Sequence, residues 1–218
     1  MSGGSDGCAT ALYETLARYQ WWRRWWSRAA VGEGLELRKR LRAPTRRDAL
    51  DANDRPSDGA AGLDVWLRSK LAGRPSARVL DLGCGFGVSL LRWLEAGAAS
   101  GVGITSSAFQ AKRAAREAER RQLQRRCRFV HQDYAVAVPG PFDVVLAIES
   151  LGHARDLAAV LHAVHRVLAP GGIFLLVDDA LRAACASDPD REELARRWAS
   201  PPLREAATVR LALGNAGL

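Results

Sequence analysis

Between residues 77 and 179 the sequence alternates short apolar segments with amphipathic ones, and this alternation constrains the fold more than any other feature. The apolar segments are rich in Val, Ile and Leu, which is typical of buried strands. They are ARVLDLG (77–83), ASGVGI (99–104), CRFVHQD (127–133), FDVVLAI (142–148) and IFLLVDD (173–179). Segments with apolar residues at helical spacing follow the first, second and fourth of them.

Strands that are apolar on both faces and alternate with helices predict a parallel sheet covered by helices on both sides. We therefore predict a doubly wound, mostly parallel α/β fold. The ligands of such sheets bind in the crevice beyond the carboxyl ends of the strands. The loops that follow the strands are consequently the candidate site loops.

The N-terminal part of the chain has a different pattern. Apolar and aromatic residues recur at three- and four-residue steps between Ala9 and Ala30, which predicts a helix. The polar segment 45–62, with its Gly and Pro residues, predicts a linker loop. We therefore divide the chain into an N-terminal helical cap with its linker, residues 1–58, and an α/β domain, residues 59–218.

The chain carries a formal net charge of +8, mostly from arginine, so nucleic-acid binding has to be considered. The basic residues are spread over predicted helices, and Glu117 and Arg121 stand at the spacing of a solvated helix face. Neither a helix-turn-helix pattern nor a zinc or RNA-recognition motif accompanies them. We therefore expect a solvated basic surface and no nucleic-acid partner.

The cysteines indicate reduced thiols. Cys8, Cys84, Cys127 and Cys185 form no C-x-x-C pair and show no paired spacing with histidine, so we expect neither a disulfide framework nor a metal ion. The N-terminus has no apolar signal-peptide region, and no apolar run approaches the length of a membrane span. We expect a cytoplasmic protein with no membrane span.

The segment VLDLGCGFG (79–87) follows the first strand and opens a helix, which is the context of a ligand-binding glycine loop. Its glycines allow a tight turn and let a ligand approach the backbone. Asp81 places a carboxylate just before them, which suits a cation better than a pyrophosphate. The alternative is a structural turn in which Asp81 caps local N–H groups.

The segments DLGCGFG (81–87), FDVVLAIESLGH (142–153) and VLAPGGIFLLVDD (167–179) together resemble class I S-adenosylmethionine-dependent methyltransferases. The resemblance covers residues 62–179 and implies a Rossmann-like sheet with S-adenosylmethionine as cofactor. It also implies which positions surround the methionine part of the cofactor. These are Asp81, Gly83, Cys84, Gly85 and Gly87.

The end of the second strand, GITSSAFQ (103–110), contains no acidic residue, although most class I methyltransferases hold the cofactor ribose with one there. Its Gly-x-Thr-x-Ser-x-x-Gln pattern resembles cyclopropane-fatty-acid synthases, sterol C-methyltransferases and tocopherol methyltransferases. This likeness implies that Thr105 and Gln110 hold the ribose by neutral hydrogen bonds, with Ser106 beside them. Alternatively, Ser107 and Gln110 form a capping box that starts the next helix; the two roles are compatible.

The same branch carries Glu and His after the fourth strand, which implies catalytic roles for Glu149 and His153 beside the reacting methyl group. Either residue can take a proton, and Glu149 can also stabilise positive charge. The alternative is that His153 caps the next turn and Glu149 only shapes the loop. The resemblance further implies that Asp133 and Tyr134 contact the adenine and that Ile148 contacts the cofactor. Asp178 and Asp179 end the fifth strand at the same cleft, and we expect one of them to face the substrate.

The tryptophan-rich segment YQWWRRWWSRAA (19–30) predicts an aromatic stripe on one side of a helix. Packing against the sheet domain accounts for such a stripe, and an interfacial helix is the alternative. In the branch that the chain resembles, an N-terminal helix covers the cofactor. The resemblance therefore implies Tyr13 or Tyr19 as a polar contact near the methyl group, and we take Tyr19 as the third catalytic residue.

Taken together, the resemblance implies methyl transfer to a small, apolar organic acceptor of secondary metabolism, with carbon favoured slightly over oxygen or nitrogen. After the fifth strand the sequence pattern lacks the last strands of the family, and we therefore expect the fifth strand at an exposed edge. The alternative function is therefore a truncated, non-catalytic module that acts as a partner subunit. A homodimer is a further expectation.

Overall fold

The computed structural model describes residues 69–74, 76–134, 136, 138–180, 201 and 203–218. The predicted N-terminal cap, the linker and Tyr19 lie outside the described residues, as does the boundary proposed between residues 58 and 59. The division into two regions therefore stays a prediction.

The described part of the chain forms a sheet of five strands with helices between them. The strands are β1 (Arg78–Leu82), β2 (Ser100–Thr105), β3 (Cys127–His131), β4 (Phe142–Ile148) and β5 (Leu168–Val177). The helices are α1 (Val88–Glu95), α2 (Ala108–Arg120), α3 (Leu157–Val167) and α4 (Ala206–Asn215). A single 3₁₀ turn, Leu151–His153, follows β4.

All strand pairs in this sheet are parallel, and their order is β3-β2-β1-β4-β5. The chain leaves β1 towards β2 and β3 and then returns to β4 on the other side of β1. This reversal creates a topological switch point between β1 and β4, where the loops on either side diverge and leave a crevice. The doubly wound α/β prediction is confirmed.

The core lies on both faces of the sheet because successive strand residues point to opposite sides. Val79 and Val144 face α1, where Trp93 is fully buried. Leu80 and Val145 belong to the opposite cluster, which α3 covers. This two-sided burial explains the continuous apolar strands and holds the carboxyl ends of the strands at one edge.

The fifth strand begins earlier than the sequence indicates. Phe142 pairs with Leu168, but Val144 pairs with Ile173, so a register shift absorbs the Pro-Gly-Gly segment between them. The strand therefore runs through residues that the turn-forming sequence predicts as a loop. In the sheet that the described residues form, β5 pairs with β4 alone, while the expectation of missing strands stays a prediction.

The outer face of α2 carries the charge pattern predicted for a solvated helix. Glu117 accepts hydrogen bonds from Arg120 at 2.7 and 2.9 Å and from Arg121 at 2.7 Å, and Arg121 also reaches Glu95 at the end of α1. Chiefly the hydrogen bonds from Arg120, and then the hydrogen bond and positive charge of Arg121, lower the pKa of Glu117 to about 2, against the opposing effect of burial. Within the described residues no helix is long and apolar enough to cross a membrane.

We predict that Glu117→Gln lowers the free energy of unfolding by about 0.5–1 kcal/mol at pH 7, the range of an exposed ion pair. The folded protein holds the proton of Glu117 less tightly than the unfolded chain. The contribution is therefore complete above the usual pKa of 4.5 and is lost as the pH falls towards about 2. Urea unfolding at pH 7 and pH 2.5 measures it, with the exposed Glu119→Gln as control. An equal loss at both pH values would contradict this assignment.

Candidate active site

Asp81 lies at the centre of the cleft edge of the sheet. It is 2% exposed and stands opposite Gly103 of β2 and Leu146 of β4. This position is at the switch point, one residue before the end of β1. The fold therefore buries a carboxyl group beside the crevice in which a doubly wound sheet binds its ligand.

The glycine loop that follows is shaped by three residues with positive φ: Gly83 at 75°, Gly85 at 54° and Gly87 at 77°. A Cβ on Gly83 would lie 2.4 Å from Cβ of Ser150, and one on Gly87 would lie 2.4 Å from Cε1 of Phe129. A Cβ on Gly85 would meet nothing within 4 Å. Packing thus fixes both ends of the loop, while the backbone at Gly85 faces open space that a ligand can fill.

Cys84 joins this loop to the second strand. Its backbone N–H donates to the carbonyl oxygen of Ile104 at 2.8 Å, and a Cβ on Gly103 would lie 2.8 Å from its Sγ. Gly103 is therefore the residue that makes room for the thiol. Burial and then the negative charge of Asp81 raise the pKa of Cys84 well above its usual value, so the thiol stays neutral at physiological pH.

A neutral hydrogen-bonded pair occupies the end of β2, where an acidic residue was missing from the sequence. Thr105 Oγ1 donates to Gln110 Oε1 at 2.7 Å, and both side chains are buried. Ser107 caps α2 by accepting from the Gln110 N–H at 3.1 Å, as predicted. The Ser107 N–H, however, donates to Thr105 Oγ1 at 3.3 Å, so the Gln110 side chain faces Thr105 instead of closing the capping box.

The Thr105–Gln110 pair differs from a carboxylate in its hydrogen-bonding groups. Thr105 occupies one lone pair of the Gln110 carbonyl oxygen, so Gln110 keeps a second acceptor position beside the two donors of its amide NH₂. A carboxylate at this position would offer acceptors alone. The pair therefore supplies both donors and acceptors without a negative charge.

The remaining predicted cofactor positions surround the same edge. Ser106 is exposed, and its carbonyl oxygen contacts Nε2 of His131 at 3.1 Å. Asp133 is exposed beyond β3, next to the half-buried Tyr134. The Tyr134 hydroxyl donates to the carbonyl oxygen of Ser150 at 3.2 Å, so this hydroxyl ties the β3 loop to the β4 loop. The adenine contacts of Asp133 and the Tyr134 ring stay predictions.

The loop after β4 brings the two predicted catalytic residues to the cleft. Ile148 ends the strand half-buried, and Glu149 follows with a left-handed φ of 49° while its N–H donates to Val177 O at 2.7 Å. Such a backbone costs a glutamate on the order of 1 kcal/mol or more. His153 ends the 3₁₀ turn, and its N–H donates to Ser150 O at 3.3 Å. Glu149 and His153 thus share one loop.

Three further residues organise this loop. Ser150 Oγ donates to Leu82 O at 2.7 Å, which joins the β4 loop to the glycine loop. Asp178 accepts from the Gly152 N–H at 2.8 Å, so its carboxylate binds the backbone of the β4 loop. Arg204 donates to Leu151 O at 3.4 Å.

The sequence marked two of these three residues as candidate site positions and gave no indication of the third. Ser150 lies inside a recognised motif and Asp178 ends a strand, so both stood out, although neither contact was predicted. Arg204 carried no signal, because its partner lies 53 residues away in the sequence.

Comparison with known proteins decides the family. A family profile described as a methyltransferase domain matches residues 37–210, which is most of the chain. The chain belongs to this methyltransferase family. The membership confirms the resemblance to class I S-adenosylmethionine-dependent methyltransferases, and with it the Rossmann-like fold and the cofactor type.

Individual relatives are similar over part of their length. The sterol 24-C-methyltransferase of Aspergillus fumigatus is 37% identical over 111 residues, 50% of this chain and 29% of that protein. The ubiquinone biosynthesis O-methyltransferase of Thiobacillus denitrificans is 39% identical over 114 residues, 50% of this chain and 45% of that protein. This methyltransferase chain therefore spans less than half of either curated relative.

The crystal structure of the [4+2]-cyclase SpnF superposes with a TM-score of 0.59 at 27% identity. The superposition covers 72% of this chain and 57% of SpnF.

The residues at the crevice fit S-adenosylmethionine. The cofactor carries a positive sulfonium and an ammonium group, and Asp81 places a buried carboxyl group beside the crevice. The open space at Gly85 leaves room for a ligand against the backbone. The neutral pair of Thr105 and Gln110 supplies hydrogen bonds without a second negative charge.

We predict that Gln110→Ala weakens binding of S-adenosylhomocysteine about tenfold, the loss of one buried hydrogen bond of roughly 1.4 kcal/mol. Ser107→Ala is the matched control, since it removes the helix cap and leaves the Gln110 amide. It should cost about 1 kcal/mol of stability and change binding little. Calorimetric titration and thermal unfolding measure both effects. Equal binding by Gln110→Ala and wild type would show that Gln110 has only a structural role.

Proposed function

We propose that this methyltransferase-family chain binds S-adenosylmethionine at the β1–β4 switch point and transfers its methyl group to a small, apolar organic acceptor, with carbon favoured over oxygen or nitrogen. The observation that carries the proposal is the buried Asp81 beside the open backbone of Gly85. Both lie in a chain whose residues 37–210 match the methyltransferase family.

The proposed cofactor contacts follow the loops. The glycine loop, with Asp81, takes the methionine part, Thr105 and Gln110 take the ribose, and Asp133 accepts from the adenine amino group. When bound, S-adenosylmethionine supplies a methyl group activated by a positive sulfonium. The protein's part in such a displacement is mainly to hold the reactants in line at short distance.

Glu149 and His153 are the proposed acid–base groups. Both residues lie on the loop that follows the carboxyl end of β4. A general base must lie within hydrogen-bond distance of the proton that it removes, and this loop borders the proposed binding crevice. Glu149 can also stabilise positive charge that develops on an acceptor carbon. Tyr19, which lies outside the described residues, is proposed as a further polar contact near the methyl group.

The preference for a carbon acceptor is supported by similarity to a protein named sterol 24-C-methyltransferase. Because another relative is named ubiquinone biosynthesis O-methyltransferase, oxygen acceptors are also tested below. The solved structure named a [4+2]-cyclase shows that methyl transfer must be measured directly and not inferred from the fold. No observation on the described residues favours a non-catalytic subunit.

The test is methyl transfer from radiolabelled S-adenosylmethionine to a panel of sterols, isoprenoid diphosphates and phenols. We expect labelled product with at least one acceptor, and a carbon–methyl bond in it by mass spectrometry. Labelled phenol ethers alone would overturn the carbon preference. No transfer to any class, by a protein that binds S-adenosylhomocysteine, would contradict the proposed acceptor range.

For an acceptor that is methylated, we predict that Glu149→Gln lowers kcat by about 10²-fold, the lower range for loss of a general base. The KM for S-adenosylmethionine should change little. Asp81→Asn is the contrasting variant, because it removes the charge beside the cofactor and should raise that KM. Steady-state kinetics separate the two effects. A Glu149→Gln enzyme with wild-type kcat would exclude Glu149 as the base.

A further inference from the structure

The 3₁₀ turn Leu151–His153 is held from two sides by charged side chains distant in sequence. Asp178, just after β5, accepts from the Gly152 N–H through Oδ2 at 2.8 Å. Arg204, just before α4, donates to the carbonyl oxygens of Leu151, at 3.4 Å, and of Ala154. One side chain thus binds an N–H of the turn, and the other binds one carbonyl of the turn and the carbonyl of the residue that follows it.

Both oxygens of the Asp178 carboxylate accept hydrogen bonds from backbone N–H groups. Its Oδ1 accepts from the Asp179 N–H at 2.9 Å, and a Cβ on Gly152 would lie 3.3 Å from this oxygen. Glycine at position 152 therefore lets the carboxylate approach the turn closely. Hydrogen bonds to an ionised acceptor are roughly twice as strong as neutral ones, so this contact holds the turn firmly.

Burial places a free-energy cost on the charged form of the Asp178 side chain. Burial raises the pKa of Asp178, although the Gly152 and Asp179 amides and the charge of His153 oppose this effect, and the charge of Asp179 adds to it. The folded protein therefore binds this proton more tightly than the unfolded chain does. The ionised carboxylate lowers stability at neutral pH, and this cost disappears as the pH falls through the raised pKa towards 3.8.

Arg204 complements this contact with a geometry that lysine cannot reproduce. The Leu151 carbonyl accepts from the Ala154 N–H at 3.0 Å within the turn, and Arg204 adds a second donor to it. A planar guanidinium presents several fixed donors and can bind the Leu151 and Ala154 carbonyls at once, whereas an ammonium is a point donor. Both Leu151 and Ala154 are buried, so their carbonyls benefit from a protein partner.

We propose that Asp178 and Arg204 are positioning residues that hold the turn Leu151–His153 and thereby set the orientation of Glu149 and His153 towards the reacting centre. The left-handed backbone of Glu149 lies at the start of the same loop, and a strained conformation persists only where its surroundings impose it. The functional part of this inference rests on the proposed roles of Glu149 and His153.

The experiment is amide hydrogen exchange and ¹H–¹⁵N NMR on the full chain, comparing wild type, Asp178→Asn and Arg204→Lys, with Asp179→Asn as control. In Asp178→Asn we expect the Gly152 amide proton to move upfield and its protection to fall about tenfold, equivalent to roughly 1.4 kcal/mol. The Glu149 and His153 amide signals should shift in Asp178→Asn and Arg204→Lys but stay in place in Asp179→Asn.

Two further readouts separate positioning from general stabilisation. Wild-type protection at Gly152 should fall as the pH is lowered through the pKa of Asp178, and this step should be absent in Asp178→Asn. The loosening in Asp178→Asn should be confined to the loop that carries Gly152, with the amide protons of the sheet core exchanging as in wild type. Unchanged Gly152 protection, or loosening spread evenly over the sheet with a lower melting temperature, would overturn the proposal.

Titration with S-adenosylhomocysteine distinguishes this inference from the proposed function. Asp178 and Arg204 contact the turn and not the glycine loop, so we expect both variants to bind within about threefold of wild type. Failure of the wild type to bind would reject the proposed function, while the Gly152 signals would still decide whether the two residues hold the turn.

Discussion

The parallel pairing of β1 with β2 on one side and β4 on the other is the constraint on which the site depends. It places Asp81 at the middle of the sheet edge, where the glycine loop, the Thr105–Gln110 pair and the Glu149 loop emerge side by side. The two-sided core holds this edge in place, because α1 and α3 cover opposite faces of the same strands. The site is therefore built from loops, but a rigid sheet sets their spacing.

Hydrogen bonds between loops then join these segments to one another. Ser150 binds the carbonyl of Leu82 and accepts from Tyr134, so one residue links the loops after β1, β3 and β4. Cys84 links the glycine loop to β2 in the same way. These hydrogen bonds connect the loops of the cleft, so a change in the position of one loop alters the hydrogen bonds of its neighbour.

The sequence predicted the parts of this structure that depend on local pattern. The strand FDVVLAI was expected at residues 142–148 and lies there, and Ser107 caps α2 as its position before the helix indicated. The start of β5 was missed, because a register shift against β4 lets turn-forming residues join the strand. The Thr105–Gln110 bond was not foreseen either, since it depends on which way two side chains turn.

Contacts between distant segments were beyond sequence reasoning. Asp178 was expected to border the cleft, but its bond to Gly152 depends on how two loops fold over each other. Arg204 looked like one more basic residue in a basic chain, because nothing near it in the sequence marks the turn that it binds. The roles proposed for the site residues rest on family resemblance together with this geometry.

The most direct test of the central claim is to map S-adenosylhomocysteine on the ¹⁵N-labelled protein by NMR titration, with NADH as a comparison ligand. The account predicts saturable shifts concentrated at Gly83–Gly87, Thr105–Gln110 and Glu149, with none from NADH. Absence of saturable shifts in a folded sample, or shifts centred away from the β1–β4 switch point, would contradict it.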